Sequence, residues 1–108
     1  MHLEQYRGAN HVLVSRSNGR AKISTRKRID KLLNSGKWTE VHLHGLGAAI
    51  APTIVIASDI VMAANGRIKA HTRTSTEVIV DPVEPNDDGF TAKLRHNSAV
   101  HVLLSISE

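Results

Sequence analysis

The stretch from Glu40 to Met62, EVHLHGLGAAIAPTIVIASDIVM, limits what this chain can fold into more than any other segment. Val41 and Leu43 alternate as in a half-buried strand. Gly45-Leu46-Gly47 then interrupts the alternation, and an apolar run at helical spacing follows. Two glycines at a strand-to-helix junction let the backbone turn tightly and come close to another group. The unpaired amides and positive dipole end at the start of such a helix suit an anion, phosphate among them. A glycine turn that serves packing alone is the competing reading, and these residues leave both open.

The helix itself is overfull. Ile50, Ile54, Val55, Ile56, Ala57, Ile60, Val61 and Met62 do not fit on one stripe, whereas a helix buried on one side shows polar residues opposite. In a single domain of 108 residues, two buried sides require a partner, so an obligate dimer or heterodimer is expected, with Ile56 and Ile60 at its interface. Each such side chain buried contributes roughly 1.5 to 3 kcal/mol before entropic costs. Pro52 falls inside this helix, where it removes a hydrogen bond and disfavours helix at Ala51, so a kink or a late start is expected.

Around this segment the periodicities give a β-α-β-α-β-β order. His11 to Ser15 reads as a short strand, and Arg20 to Ser35 as a basic helix with Ile23, Ile29, Leu32 and Leu33 near one face. Trp38 to His44 is the second strand, the long helix runs to about Ala64, and Asn65-Gly66 is a turn. Ile68 to Val80 alternates cleanly: Ile68, Ala70, Thr72, Thr74, Thr76, Val78 and Val80 share one face, with Lys69, His71, Arg73, Ser75, Glu77 and Ile79 on the other. Asp81 to Gly89 is an acidic loop, and Thr91 to Ile106 closes the domain. The predicted architecture is α+β: two helices on one side of a four-stranded mixed sheet, with residues 1–108 forming one domain.

Charge is distributed unevenly. Residues 1–37 hold nine Lys or Arg against Glu4 and Asp30, whereas the remainder holds five basic and eight acidic residues. A basic third is the footprint expected of phosphate binding; a solvated helix face is the alternative. Tyr6, Trp38 and Phe90 are the only aromatic rings of the Phe, Tyr and Trp type, too few for a platform that stacks unpaired bases. RNA recognition through backbone and shape is the version this composition allows. With no cysteine, disulfides and thiolate metal sites are excluded. No apolar run reaches the roughly 20 residues of a membrane span. The first ten residues lack the apolar core of a signal peptide, and a soluble protein of the cytosol or nucleus is expected.

Several chemistries fail on inspection of the residues. Gly45-Leu46-Gly47-Ala48-Ala49-Ile50 carries Ile at the sixth position of a dinucleotide turn, and no acidic residue follows on a strand at the right distance. His42 and His44 share a strand face as two metal ligands would, but neither His96 nor His101 completes a recognisable spacing, so no metal and no cofactor is predicted. No serine sits in a nucleophile elbow and no nucleophile–base pair is visible, so no catalytic residue is assigned.

Three motifs in this order, His42-Leu43-His44-Gly45-Leu46-Gly47-Ala48-Ala49-Ile50, Thr74-Ser75-Thr76-Glu77-Val78 and Leu94-Arg95-His96-Asn97-Ser98-Ala99-Val100-His101-Val102, resemble the Alba superfamily. Within it they are most similar to the smaller Alba-type subunits of nuclear ribonuclease P and ribonuclease MRP. The resemblance covers the chain from about residue 39 onward and implies the same β-α-β-α-β-β fold. It further implies a noncatalytic, RNA-binding subunit of these ribonucleoproteins in the nucleus and nucleolus, where tRNA leaders are removed and precursor rRNA is processed. The implied partners are a larger Alba-type subunit, the ribonuclease P and MRP RNAs and the other proteins of those complexes. The implied heterodimer interface joins the long helix to the last two strands, adding Val100 and Val102. Implied RNA contacts are Arg16, Arg20 and Lys22 as loop cations, Gly45, Leu46 and Gly47 as the close-approach turn, and Arg95. Arg26, Lys27 and Arg28 are added from charge alone. The acidic residues between the last strands disfavour general coating of duplex DNA. A general Alba-type RNA- or chromatin-binding homodimer is the alternative, and a small nucleotide-binding enzyme a third reading.

Overall fold

A computed structural model describes residues 8–16, 19–81, 85–86, 89–90 and 93–107. The elements follow the predicted order: β1 (His11–Val14), α1 (Gly19–Asn34), β2 (Glu40–Leu46), α2 (Ile50–Ala63), β3 (Ile68–Asp81), β4 (Pro85–Asn86), β5 (Gly89–Phe90) and β6 (Lys93–Ile106). The four main strands form one sheet in the order β1-β2-β6-β3, with β1 parallel to β2 and the other pairs antiparallel. The two-residue strands β4 and β5 pair with each other between the long strands, in what the sequence reads as a loop.

Strand alternation decides what each sheet face presents. Val12 and Val14 of β1, Val41 and Leu43 of β2, and Val100, Val102 and Leu104 of β6 all point to one face. There they join Ile29 of α1 and Ile56, Ala57 and Ile60 of α2 in one buried cluster. Both helices therefore cover the same side, as predicted. Among the described residues the opposite face carries no helix, and His11, His42, His44, Arg73 and His101 lie on it with Leu13 and Leu103 among them.

The apolar helix is the point at which sequence and structure part. Ile56, Ile60, Val100 and Val102, expected at a dimer interface, are 3, 3, 1 and 2% exposed and form the core of the single chain. Their neighbours Ile54, Val55 and Met62 are the large apolar α2 residues left in solvent, at 45, 44 and 77% exposure. The overfull pattern is thus one stripe for the core and a second that is exposed in the single chain. Of the two outcomes expected from Pro52, the late start is the one observed. Residues Gly47–Ala49 form a 3₁₀ turn and α2 starts at Ile50, so Pro52 lies in its first turn, where its missing N–H would have had no intrahelical partner.

Beyond Leu46↔Ala99, the last β2–β6 pair, β3 and β6 continue alone from Thr76↔Ser98 to Asp81↔Lys93 as a two-stranded arm. Val78, Val80 and Leu94 lie exposed on its helix side. A bare hairpin gains little stability from its own pairing, so an apolar face on it favours contact with another surface.

Candidate nucleic-acid interface

The parallel pairing of β1 and β2 brings the phosphate-binding candidates to one end of the sheet. Val14 pairs with Gly45, so both chains leave their strands at the same edge. Arg16 follows β1 in an exposed position, and α1 begins at Gly19; Leu46 and Gly47 follow Gly45, and α2 begins at Ile50. Two helix N-termini, with their unpaired amides, thus face the end from which the β3–β6 arm also projects. Arg95 lies on that arm, four residues beyond Ala99 and therefore about 13 Å outward along the strand. It pairs in register with Ile79 and stands apart from the turn. The side chains of Arg20 and Lys22 and the charges of Glu84, Asp87 and Asp88 lie outside the described residues. Arg26 is committed elsewhere: its Nε is 3.2 Å from both carboxylate oxygens of Asp30, one helical turn on. That pairing lowers its value as a free phosphate ligand.

The two glycines of the turn divide their labour. Gly45 belongs to β2 and is buried, and a Cβ there would collide with Thr53 Oγ1 and lie 2.7 Å from the Ala49 carbonyl oxygen. Thr53 is fully buried and donates its hydroxyl hydrogen to that same carbonyl at 2.7 Å. The close approach Gly45 permits is to the first turn of α2 inside the chain, so the packing reading wins at this position. Gly47 is different. Its φ of +51° is left-handed, which turns the chain from strand to helix, and a Cβ there would meet the Asn97 amide at 2.9 Å. Gly47 and half-exposed Leu46 are the turn residues that remain accessible.

The open face holds an arrangement that the sequence does not reveal. His11 pairs with His42 across the β1–β2 ladder, and their rings stack at 4.3 Å with 6° between planes. His11 Nδ1 is 2.9 Å from His44 Nε2, and His44 Nδ1 is 2.8 Å from His101 Nδ1. His101 Nε2 is 2.7 Å from Ser75 Oγ, which donates to Glu77 Oε1 at 2.9 Å. One protonation pattern satisfies all four contacts with every ring neutral: His11 Nδ1–H to His44, His44 Nδ1–H to His101, His101 Nε2–H to Ser75, and the hydroxyl hydrogen to the carboxylate. The relay crosses the whole sheet, from β1 through β2 and β6 to β3. His44 and His101 are 3 and 5% exposed, and burial is the main reason both hold their pKa below the usual imidazole range. For His44, the neighbouring His101, His11, His42 and Arg73 add to the effect and push it down to about 4.

Two sequence expectations change here. Spacing alone treats the histidines as separate groups, yet three of them are linked edge to edge. Among the described residues, no three His, Cys, Asp or Glu side chains are grouped to hold a metal ion. A serine–histidine pair does exist, Ser75 with His101, although none is visible in the sequence. In the all-neutral pattern Ser75 accepts a hydrogen bond from His101 Nε2–H and donates one to Glu77, so the imidazole does not act as its base. Period two in His42-Leu43-His44 is the one available signal, because the other partners lie 26 to 57 residues apart in sequence.

The mixed β1-β2-β6-β3 sheet, covered on one side by two helices and extended by a hairpin arm, is that of an Alba-type protein. Alba from Thermoplasma volcanium superposes with a TM-score of 0.64 over 87% of this chain and 96% of its own, at 14% sequence identity. The chain belongs to the family described as the Rpp20 subunit of nuclear RNase MRP and P, which it matches over residues 8–103. It is similar to ribonuclease P protein subunit p20 from Mus musculus, 37% identical over 82 residues, and to that from Homo sapiens, 35% identical over 82 residues. Each alignment covers 69% of this chain and 59% of the relative, so the matched part is little more than half of those proteins.

Proposed function

We propose that this chain is a noncatalytic, RNA-binding subunit of the nuclear ribonuclease P and ribonuclease MRP ribonucleoproteins. In this reading it clamps a stem-loop of the catalytic RNA as a heterodimer with a larger Alba-type subunit, in the nucleus and nucleolus. It thereby supports removal of tRNA 5′ leaders and processing of precursor rRNA. The observation that carries the reading is the family match over residues 8–103 together with the end of the sheet where Arg16, the Gly47 turn and both helix N-termini meet. A duplex backbone passing this end would meet cations and amides rather than aromatic platforms, as the composition requires.

The partner's place is the helix-side surface beside α2. Ile54 and Met62 on the helix and Ala70 and Thr72 on β3 line an apolar groove of about 320 Å³. Val78, Val80 and Leu94 extend the apolar surface along the arm. These residues replace Ile56, Ile60, Val100 and Val102 as the proposed interface. Charged groups are scarce on this strip, which suits a buried contact with a second Alba-type surface.

Gentle purification of the tagged chain from its own cells, followed by sequencing of the bound RNA, tests the reading. Strong enrichment of the ribonuclease P and MRP RNAs is expected. A broad spread of cellular RNAs, with those two at background, would instead favour a general Alba-type RNA- or chromatin-binding homodimer.

A further inference from the structure

The open face of the sheet is not used by the RNA-binding reading, yet it contains a cavity of about 270 Å³. Its polar lining is unusual in sign: His42, His44, His71, Arg73 and His101 are nitrogen-bearing side chains, and no carboxylate of the described residues lines it. Arg73 pairs with no carboxylate among the described residues, and it sits across the β3–β6 ladder from His101. A permanently charged guanidinium beside imidazole nitrogens, with no acidic side chain of the lining to neutralise it, gives the recess a positive field that favours an anion.

We infer that this recess is a phosphate-binding site in which Arg73 and His71 hold the anion and the histidine relay takes up a proton as it binds. Arg73 is exposed at the rim and permanently charged, as an anion's first contact must be. His71 stands two residues before it on the same strand face. Behind them His101 and His44 are neutral chiefly because they are buried, and the Arg73 charge adds to the effect on both. An anion in the recess reverses that influence and draws a proton onto the cluster. Glu77, 3.8 Å from His101 Nε2 and linked to it through Ser75, steadies the resulting imidazolium from the far side.

The remaining charged neighbours fit this account. On β1, His11 closes the outer end of the relay and carries a proton in the neutral pattern. On β2, His42 faces Glu40 at 3.7 Å, which places that carboxylate at the sheet edge outside the lining. Lys69 lies further along the same face of β3 and adds positive field at a distance. The ligand chemistry is a phosphoryl oxygen, supplied either by a free phosphate or by an RNA backbone. This site is separate from the Arg16 end and stands or falls independently of the ribonucleoprotein reading.

Imidazole resonances of the full chain, followed by NMR during addition of inorganic phosphate, sulfate or a short RNA hairpin, provide the test. Phosphate should shift His42, His71 and His101 saturably. Sulfate, whose charge is constant in this range, should bind more tightly at pH 6 than at pH 7.5, with a ceiling of roughly thirtyfold for one proton taken up over 1.5 pH units. Arg73→Gln should weaken binding roughly tenfold, whereas Lys69→Gln, on the same strand but outside the lining, should change it less than about twofold. Shifts of the same resonances by the hairpin would identify a backbone phosphate as the ligand; shifts by phosphate alone would identify a free one. Unsaturable or absent shifts, wild-type affinity in Arg73→Gln, or affinity independent of pH would each overturn the proposal.

Discussion

The two faces of one sheet are built from alternate residues of the same strands, yet they are held together by different physics. On the helix side, Val41, Leu43, Val102 and Leu104 are nearly inaccessible and pack by shape and apolar area alone. On the open side, His11, His44 and His101 occupy intervening positions and meet through directed hydrogen bonds. The helix side works at any ordinary pH, since nothing in its apolar cluster titrates. The open side depends on the relay, whose buried rings His44 and His101 are held below the usual imidazole range. A single sheet thus combines a pH-independent core with a pH-dependent polar layer, and the two can be separated by experiment.

The largest effect should come from the apolar side. Leu43→Ala removes a fully buried side chain from the centre of the cluster and should cost about 2 to 5 kcal/mol in urea unfolding, equally at pH 5 and pH 7.5. A loss much below that range would mean that the core closes around the cavity and is looser than its packing indicates.

The polar side should show itself through pH. His44 has its folded-state pKa lowered to about 4 from 6.5. Its neutral form is therefore the one the fold favours. The associated stability is fully present above pH 6.5 and is lost as pH falls from there toward 4, with a ceiling of about 3 kcal/mol. His11 and His101 are shifted in the same direction and add to the same window. Urea midpoints measured from pH 7.5 down to 4.5 should fall steadily, and His44→Gln should flatten that fall. A wild-type midpoint that does not change over this range would break the contrast between the faces.

A smaller effect sharpens the contrast at the junction of the two layers. Gly45→Ala forces a methyl group against Thr53 and the Ala49 carbonyl and should destabilise the fold by about 1 to 3 kcal/mol. RNA affinity per folded molecule should be unchanged, because the close approach is internal. Loss of RNA binding at full stability would return Gly45 to the ligand-facing turn.

Much of the helix side is legible in the sequence, because burial leaves a periodic trace. The alternation of Ile68 to Val80, the 3.6-residue spacing in α1 and the strand–glycine–helix junction place the elements within a few residues of their observed bounds. Burial on α2 is less legible. A helix with two apolar stripes does not say which one faces its own sheet, so the pattern allows Ile56 and Ile60 to point outward when Ile54, Val55 and Met62 are the exposed set. Pro52 is a partial signal: a late start is one of the two outcomes it allows, and α2 does begin only at Ile50, after a 3₁₀ turn that no residue pattern marks. The histidine relay leaves the least trace. It depends on the registers His11↔His42, His44↔His101 and Ser75↔Ala99, which are set by pairing between segments far apart in the chain.

The central claim is that the end of the sheet around Arg16 engages the phosphate backbone of a structured RNA. The most direct measurement is the salt dependence of binding to a ribonuclease P or MRP RNA stem-loop, for the wild-type chain with the proposed larger Alba-type subunit and for the same mixture carrying Arg16→Ala, Arg20→Ala and Lys22→Ala together. The slope of log affinity against log salt should become shallower by about one for each phosphate that is no longer neutralised, with weaker binding at low salt. An unchanged slope and affinity would contradict the account and move RNA recognition away from this end of the molecule.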